Sequence, residues 1–356
     1  MPKRTGFLYE KMLDKAFIRQ VIIKATENKR TRKDAQIVLG DIDRCTEHIY
    51  DILKNEEYVP SIPKHKQIYD KSGDKWREIQ YVKLYPDGII QWIIVETLKP
   101  IFMKHMWPWS CASIPGRGWI RQAGYLKRAL KNDIPGTKYS LQADIRKYYP
   151  SIDKTILMRC LERKIRDPKM LKIVSAIIHT SDKGLGIGYY INQWLANFYL
   201  EKLDWYIASL PGVKYYCRYM DNLTILGPNK KLLHKARIRI VEYLTSMGLT
   251  LKDDWQVFPT KKRLVSSVGY RFGRGFVIMK KRNLLRISRQ AKRIAKKQSV
   301  KKKIPACQAA SFLSRIGQLC HCDCDKAKEK YISLVNIHNL KRTVCYESLG
   351  RYSTNR

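Results

Sequence analysis

"YCRYMDNLTIL", residues 216–226, sets two strand-like segments around a short polar step, Met220-Asp221-Asn222. Asp and Asn are ordinary turn residues and Asn tolerates a positive φ, so the step by itself marks only a hairpin. A carboxylate at a hairpin tip becomes chemistry when a second carboxylate reaches the same place. "LQADIRKYYPSID", residues 141–153, offers one: Asp144 ends a predicted strand and is followed by two aromatics and a helix start. Two such strands can lie side by side in one sheet and carry Asp144 and Asp221 to one edge. Two-metal phosphoryl transfer uses that arrangement, with hard cations held by oxygen ligands. The pair alone does not single out this chemistry, because a chain of this size holds many Asp residues.

The surroundings narrow the partner. The chain has 356 residues, enough for two or three packed units. Lys and Arg total 70 against 31 Asp and Glu, a formal net charge of +39. A small-substrate enzyme has no use for such self-repulsion, whereas a nucleic acid neutralises it. The 22 Tyr and 8 Trp are scattered, not gathered on one amphipathic helix as a membrane-surface protein would have them. No apolar run is long enough to span a bilayer, and "MPKRTGFLYE" lacks the apolar core of a secretory signal. A cytoplasmic protein with nine reduced cysteines and no membrane partner is expected. "LCHCDCD" crowds Cys320, His321, Cys322 and Cys324 together, but zinc sites pair two separated ligand couples and the second couple is missing.

Residues 8–55 carry apolar side chains at three- and four-residue spacing and read as helices, closed by Pro60 and Pro63. "KHKQIYDKSGDKWREIQYV" reads as two strands around a Ser-Gly-Asp turn. "YPDGIIQWIIVETLKPIFMKHM" is a turn and a helix, and "SIPGRGWIRQAGYLKRALKN" a Gly-rich turn entering a basic helix. "KYSLQADI" is a strand, and Asp153 is a candidate N-cap for the helix in "SIDKTILMRCLERKI". "YINQWLANFYLEKLDWYIASL" reads as one long helix. The hairpin over 215–226 leads to a helix near 231–247, then to short strands at "DWQVFPT" and "SVGYRF". From Lys280 the pattern is helical and basic. Lys280–Lys303 holds 12 Lys or Arg and no acid, with Leu284, Ile287, Ala291 and Ile294 forming an apolar stripe. That density of unopposed charge favours phosphate binding over a merely solvated face.

The blocks "DIRKYYPSID", "GLGIGYYINQWLANFYL", "YCRYMDN", "GLTLKDDWQVFPT" and "SVGYRF" resemble, in sequence and order, the palm blocks of reverse transcriptases. "KWREIQYV" and "ASIPGRG" resemble the two fingers blocks that precede them. The resemblance spans about residues 58–272, and the basic helices downstream fit a thumb. Among subgroups it is closest to the compact bacterial enzymes of diversity-generating retroelements, with related antiviral defence reverse transcriptases sharing much of the pattern.

The resemblance implies an α+β right-hand polymerase with an N-terminal helical extension (1–62), fingers (63–137), palm (138–275) and a basic helical thumb and tail (276–356). It implies RNA-directed DNA synthesis from dNTPs on an RNA template with a DNA primer. Asp144 and Asp221 match the metal carboxylates, with Ile145 adding its backbone carbonyl, for two Mg²⁺ ions or Mn²⁺ in their place. Tyr149 matches the aromatic gate below the sugar 2′ position, with Tyr148 as a competitor. Lys75 and Arg77 match fingers residues that reach the triphosphate. Arg117 could support the template or incoming nucleotide, Gln193 matches a glutamine that orients them, and Lys252 corresponds to a lysine that assists pyrophosphate departure. Gly269 and Tyr270 match the primer grip, and Arg286, Arg289, Lys292 and Arg293 would track nucleic acid. A cognate non-coding RNA and a small accessory protein are expected partners. Three positions depart from the family pattern: Asn222 replaces the second hairpin Asp, Gly186 a Pro, and Asn192 a Ser. Asn222 motivates a rival reading, a non-catalytic RNA-binding homologue. An RNA-synthesising polymerase is a second rival, opposed by Tyr149.

Overall fold

The computed structural model of the chain describes residues 4–70 and 75–353. Several helices begin where a short polar side chain meets an orphan backbone N–H. Asp14 accepts from Ala16 at the start of α2 (Lys15–Thr26), and Asp41 from Arg44 at the start of α4 (Ile42–Lys54). With α1 (Leu8–Lys11) and α3 (Lys33–Gly40) these make a run of helices that extends ahead of the first strand. Asp167 ties this extension down. It accepts from the Leu8 and Tyr9 N–H groups, both at 2.7 Å, while also capping its own helix through Met170 at 3.1 Å.

β1 (Lys64–Asp70) and β2 (Lys75–Tyr81) pair antiparallel as a ribbon, ending on Asp70 opposite Lys75. The expected Ser-Gly-Asp turn between them lies outside the described residues, as does the Lys75 side chain. Helices α5 (Ile89–His105) and α6 (Trp119–Asn132) follow. A four-stranded antiparallel sheet then forms from β3 (Tyr139–Asp144), β4 (Tyr215–Tyr219), β5 (Asn222–Gly227) and β6 (Gln256–Pro259), in the order β4-β5-β3-β6. Between β3 and β4 run α7 (Tyr148–Ser151), α8 (Lys154–Glu162), α9 (Pro168–Ile178), α10 (Tyr190–Tyr199) and α11 (Glu201–Ser209). Asp153 caps α8, accepting from Ile156 at 3.0 Å. Helix α12 (Lys230–Ser246), capped by Asn229, joins β5 to β6.

Two expectations from sequence need correction. The long helix expected from Tyr190 breaks at Leu200 (φ −91°, ψ 2°). No Gly or Pro marks the break. The ion pairs Lys164–Glu201 and Arg218–Asp204, just beyond it, outweigh local propensity. "SVGYRF" is not one strand but a tight hairpin, in which Val268 (φ 42°) and Gly269 (φ 91°) turn β7 (Val265–Ser267) into β8 (Tyr270–Phe272). Val disfavours positive φ, so only Gly269 signalled the turn. β9 (Val277–Met279) completes this second sheet.

Buried side chains form two clusters. One joins the N-terminal helices, α5, the four-stranded sheet and its helices, with Trp194, Tyr199 and Phe102 among its largest fully buried side chains. The other joins α6 and the β7–β9 sheet to the C-terminal helices α13 (Lys281–Ser299), α14 (Ala306–Gly317), α15 (Asp325–Ile332) and α16 (Ile337–Ser353). The result is an α+β right-hand polymerase architecture. Among the described residues no helix is long and apolar enough to cross a membrane.

Candidate active site

The sheet register assembles the site. Asp144 pairs with Asn222 across β3 and β5, and Tyr219 pairs with Asn222 across β4 and β5, leaving Met220 and Asp221 as a two-residue turn. Met220 holds φ 55°, a conformation in which a non-glycine residue is uncommon. The Ile145 N–H donates to the Asp221 carbonyl at 3.1 Å, and the Lys252 N–H to the Asp144 carbonyl at 2.8 Å. Asp144, Asp221 and Lys252 thus meet at one end of the sheet, on three separate segments.

Asp144 Oδ1 is buried and finds no aligned hydrogen-bond donor, although the Lys252 ammonium stands 2.8 Å away as an ion pair. Burial pushes the Asp144 carboxyl above the ordinary value. Lys252 opposes that shift and the neighbouring Asp221 carboxylate adds to it. A buried carboxylate oxygen met only by the Lys252 ammonium, beside a second carboxylate, fits a hard divalent cation. Asp144, Asp221 and the Ile145 carbonyl are the groups that would hold it. Among the described residues no cluster of three or more His, Cys, Asp or Glu side chains forms a metal site, so remaining ligands would be backbone, water or substrate oxygens. Asn222 is exposed, and its amide donates to Asp221 Oδ1 at 3.2 Å.

A buried network missed in the sequence supports the turn. Arg218 is fully buried and donates to Asp204 through Nε and Nη2, to Ser110 Oγ at 2.8 Å, to Asn197 Oδ1 at 3.1 Å and to the Met220 carbonyl at 2.9 Å. The Tyr216 hydroxyl donates to the same Asp204 at 2.6 Å. Burial works against the Arg218 charge, but Asp204 more than offsets it and holds the guanidinium above the ordinary arginine value. One signal was available: Leu200, Leu203, Asp204 and Ile207 share helical spacing, which puts an acid inside an apolar stripe.

The two adjacent tyrosines part company. Tyr148 is buried and its hydroxyl donates to the Ala196 carbonyl, as a core residue would. Tyr149 is half-buried, its hydroxyl 3.6 Å from Met220 Sδ, beside the Met220-Asp221 turn. Burial, then the nearby Asp221 charge, raise its phenol above the ordinary value.

The other expected residues vary. Gln193 is half-buried on α10, and its carbonyl accepts from Asn197. Arg117 donates to the Trp107 and Ser110 carbonyls at 2.6 and 3.1 Å, so part of its guanidinium braces that turn. Burial and the adjacent Arg121 lower its pKa. Arg77 pairs with Asp70 at 2.8 Å across the ribbon. Gly269 lies at the β7–β8 turn, but the Tyr270 ring is buried and stacks on Trp119, and its hydroxyl donates to the Gln318 carbonyl at 2.9 Å. That ring belongs to the second core, which leaves the backbone of the turn as the part able to face a primer. On α13, Ile287, Ala291 and Ile294 are buried as the stripe requires, while Arg289, Lys292 and Arg293 are exposed and Arg286 is half-buried. Of the clustered cysteines, Cys320 is exposed, Cys322 buried and Cys324 intermediate.

Comparison with known proteins follows the same lines. Residues 62–272 match the family described as reverse transcriptase (RNA-dependent DNA polymerase). An uncharacterized mitochondrial protein, ymf11, from Marchantia polymorpha is 28% identical over 127 residues, 36% of this chain and 17% of that protein. The group II intron-encoded protein LtrA of Lactococcus lactis subsp. cremoris is 23% identical over 168 residues, 44% of this chain and 27% of that protein. The chain therefore spans well under half the length of these curated relatives. Telomerase from Candida albicans, solved with the TWJ fragment of telomeric RNA, has a TM-score of 0.47 at 12% identity, covering 85% of this chain and 56% of that one. Apo telomerase from Candida tropicalis has a TM-score of 0.46 at 12% identity, covering 64% and 48%. With the match extending over more than half its length and through both Asp144 and Asp221, the chain belongs to the reverse transcriptase family.

Proposed function

We propose that this chain is an RNA-directed DNA polymerase that joins dNTPs to a primer 3′ hydroxyl on an RNA template. The observation that carries the reading is the register of Asp144 against Asn222, which sets Asp144 beside Asp221 with a buried oxygen lacking an aligned donor. Two Mg²⁺ ions, or Mn²⁺, held by Asp144, Asp221 and the Ile145 carbonyl would supply activation of the 3′ hydroxyl and neutralisation of the triphosphate. The protein's own groups do the rest. The Tyr149 ring closes the space where a ribose 2′ hydroxyl would sit. Lys252, whose ammonium lies 2.8 Å from Asp144, would carry positive charge toward the departing pyrophosphate. Lys75, Arg77, Arg117 and Gln193 serve nucleotide and template, the Gly269 turn meets the primer, and Arg286, Arg289, Lys292 and Arg293 follow phosphates along α13.

The finer assignment is an enzyme of a diversity-generating retroelement acting in the cytoplasm on a structured RNA, with a small accessory protein. It rests on the "GIGYYINQWLANFY" block and the Trp-Gln-Val step near residue 256. An antiviral defence role shares those features, and neighbouring genes holding a variable-protein gene and template repeat separate the two. A second reading, RNA binding without catalysis, is motivated by Asn222. Metal-dependent dNTP incorporation on primed RNA by the purified chain decides for polymerase. RNA binding without incorporation decides for the second reading.

A further inference from the structure

We propose that residues 181–188 form a strap between the β1–β2 ribbon and the wall beneath the nucleotide sugar, and that Gln80 is the positioning residue through which the ribbon sets sugar selectivity. This rests on the polymerase reading above.

The strap reads Ser-Asp-Lys-Gly-Leu-Gly-Ile-Gly. It holds the ribbon at one residue. The Gln80 N–H donates to the Ile187 carbonyl at 2.8 Å, and the buried Ser181 hydroxyl donates to Gln80 Oε1. It holds the sugar wall at another, where the Leu185 N–H donates to the Tyr149 carbonyl at 2.9 Å. Two further side chains brace the strap. Lys154 Nζ donates to the Ser181 carbonyl, and the buried Asn192 amide donates to the Gly186 carbonyl at 2.9 Å.

The glycines show how closely the strap lies against both partners. A Cβ at Gly184 (φ 52°) would stand 2.3 Å from the Tyr149 carbonyl oxygen. At Gly188 (φ 127°) it would stand 2.2 Å from the Gln80 carbonyl oxygen, and at Gly186 1.8 Å from Gln80 Oε1. Each alternate position thus abuts either Gln80 or Tyr149. Cores and close-packed junctions respond to displacement by switching arrangement rather than deforming smoothly. The outer ribbon is exposed, with Trp76 and Ile68 open to solvent, so its orientation depends on this base. A ribbon that shifts when a nucleotide binds therefore pulls on the strap at Gln80, and the strap moves the backbone that carries the Tyr149 ring under the Met220-Asp221 turn.

The test uses the full chain with Gln80→Ala and Gln80→Glu. Three quantities are read: the ratio of kcat/KM for dNTP over rNTP, amide hydrogen exchange across 145–151 and 181–188, and the melting temperature. Gln80→Ala removes the Ser181 hydrogen bond and the side chain packed on Gly186, while its N–H bond to Ile187 remains. Without that bond the sugar ratio is expected to fall about threefold to tenfold. Exchange at the Leu185 amide is also expected to speed up, with little change in melting temperature. Gln80→Glu keeps an acceptor for Ser181 and is expected to retain the wild-type ratio. An unchanged ratio in Gln80→Ala, alongside an active wild type, overturns the proposal, and so does unchanged exchange in 181–188. A wild type that incorporates no dNTP sinks the polymerase reading instead, and the exchange measurement still decides whether Gln80 and Tyr149 are mechanically joined.

Discussion

Arg218 and Asp204 meet as a fully buried two-pronged ion pair, Nε to Oδ1 at 2.7 Å and Nη2 to Oδ2 at 2.6 Å. The same guanidinium holds the Met220 carbonyl at 2.9 Å, so the pair connects the core to the Met220-Asp221 turn. Removing one partner strands a buried charge. Asp204→Ala is expected to cost about 3–5 kcal/mol of stability, read from denaturant midpoints. An apolar double replacement, Arg218→Met with Asp204→Leu, should recover much of that loss, because desolvation of both charges disappears. Primer extension should stay depressed in the double variant, since nothing then holds the Met220 carbonyl. Full recovery of extension would show that the pair serves stability alone.

Asp144→Asn and Asp221→Asn are expected to abolish extension while leaving RNA binding near wild type. Under the proposed function, phosphate binding lies on the basic surfaces, not at these carboxylates. Asp144→Asn carries a second expectation. Burial and Asp221 disfavour the Asp144 charge in the fold, with Lys252 opposing them, so neutralising it should not lower the melting temperature. Primer extension, filter binding and thermal melting on the same preparations check all three. Near-normal extension by either variant would move the active site elsewhere.

Tyr149→Val is expected to raise rNTP use relative to dNTP, because it opens the space under the turn where the ring now sits. Tyr148→Phe should leave discrimination alone. It is expected to cost about 1 kcal/mol by removing the hydrogen bond to Ala196. Competition between labelled nucleotides reads the first effect and melting the second. If Tyr148→Phe shifted discrimination and Tyr149→Val did not, the gate assignment would be reversed.

What the sequence disclosed follows from the range of the interactions involved. Asp144 and Asp221 were legible because strand alternation and a polar hairpin tip are local patterns, and their pairing is one antiparallel register. The stripe on α13 was legible for the same reason, one face of one helix. Arg218 and Asp204 were not recognised as partners, since their meeting depends on how α11 is set after the break at Leu200, and no Gly or Pro announces that break. "KYYP" left Tyr148 and Tyr149 in competition because neighbouring residues differ only in what the tertiary structure places around them. The Val268-Gly269 hairpin was hidden by a valine in a conformation that valine avoids. Helix α9 went unassigned although Asp167 followed by Pro168 is a fair start signal.

Neutralising Arg286, Arg289, Lys292 and Arg293 together to Gln should weaken RNA binding and flatten its salt dependence. Each phosphate no longer neutralised lowers the log–log slope by roughly 0.7 to 0.9, depending on strandedness. The buried face of α13 is untouched by these changes, so folding should survive. A slope identical to wild type would return this face to ordinary solvated surface.

Asn222 carries the last expectation. Its amide donates to Asp221 Oδ1 at 3.2 Å, so besides suiting the turn it orients the neighbouring carboxylate. Asn222→Asp exchanges that donor for a second negative charge. Without metal the two carboxylates repel each other, and Asp144 already lies close by. The variant should therefore be somewhat less stable in chelator. A divalent cation reverses the balance, because added negative charge strengthens its binding. Extension by Asn222→Asp is expected to equal or exceed wild type at low Mg²⁺ and to converge with it at saturation. The variant should also show a larger rise in melting temperature on adding Mg²⁺. Asn222→Ala removes the donor and a good turn former without adding charge, and a modest loss of extension is expected. Extension rate and melting temperature against Mg²⁺ concentration, for wild type and both variants, separate charge from geometry. If Asn222→Asp folds normally yet loses extension at every Mg²⁺ concentration, the amide donor to Asp221 is required for catalysis, and the charge at this position is not what matters.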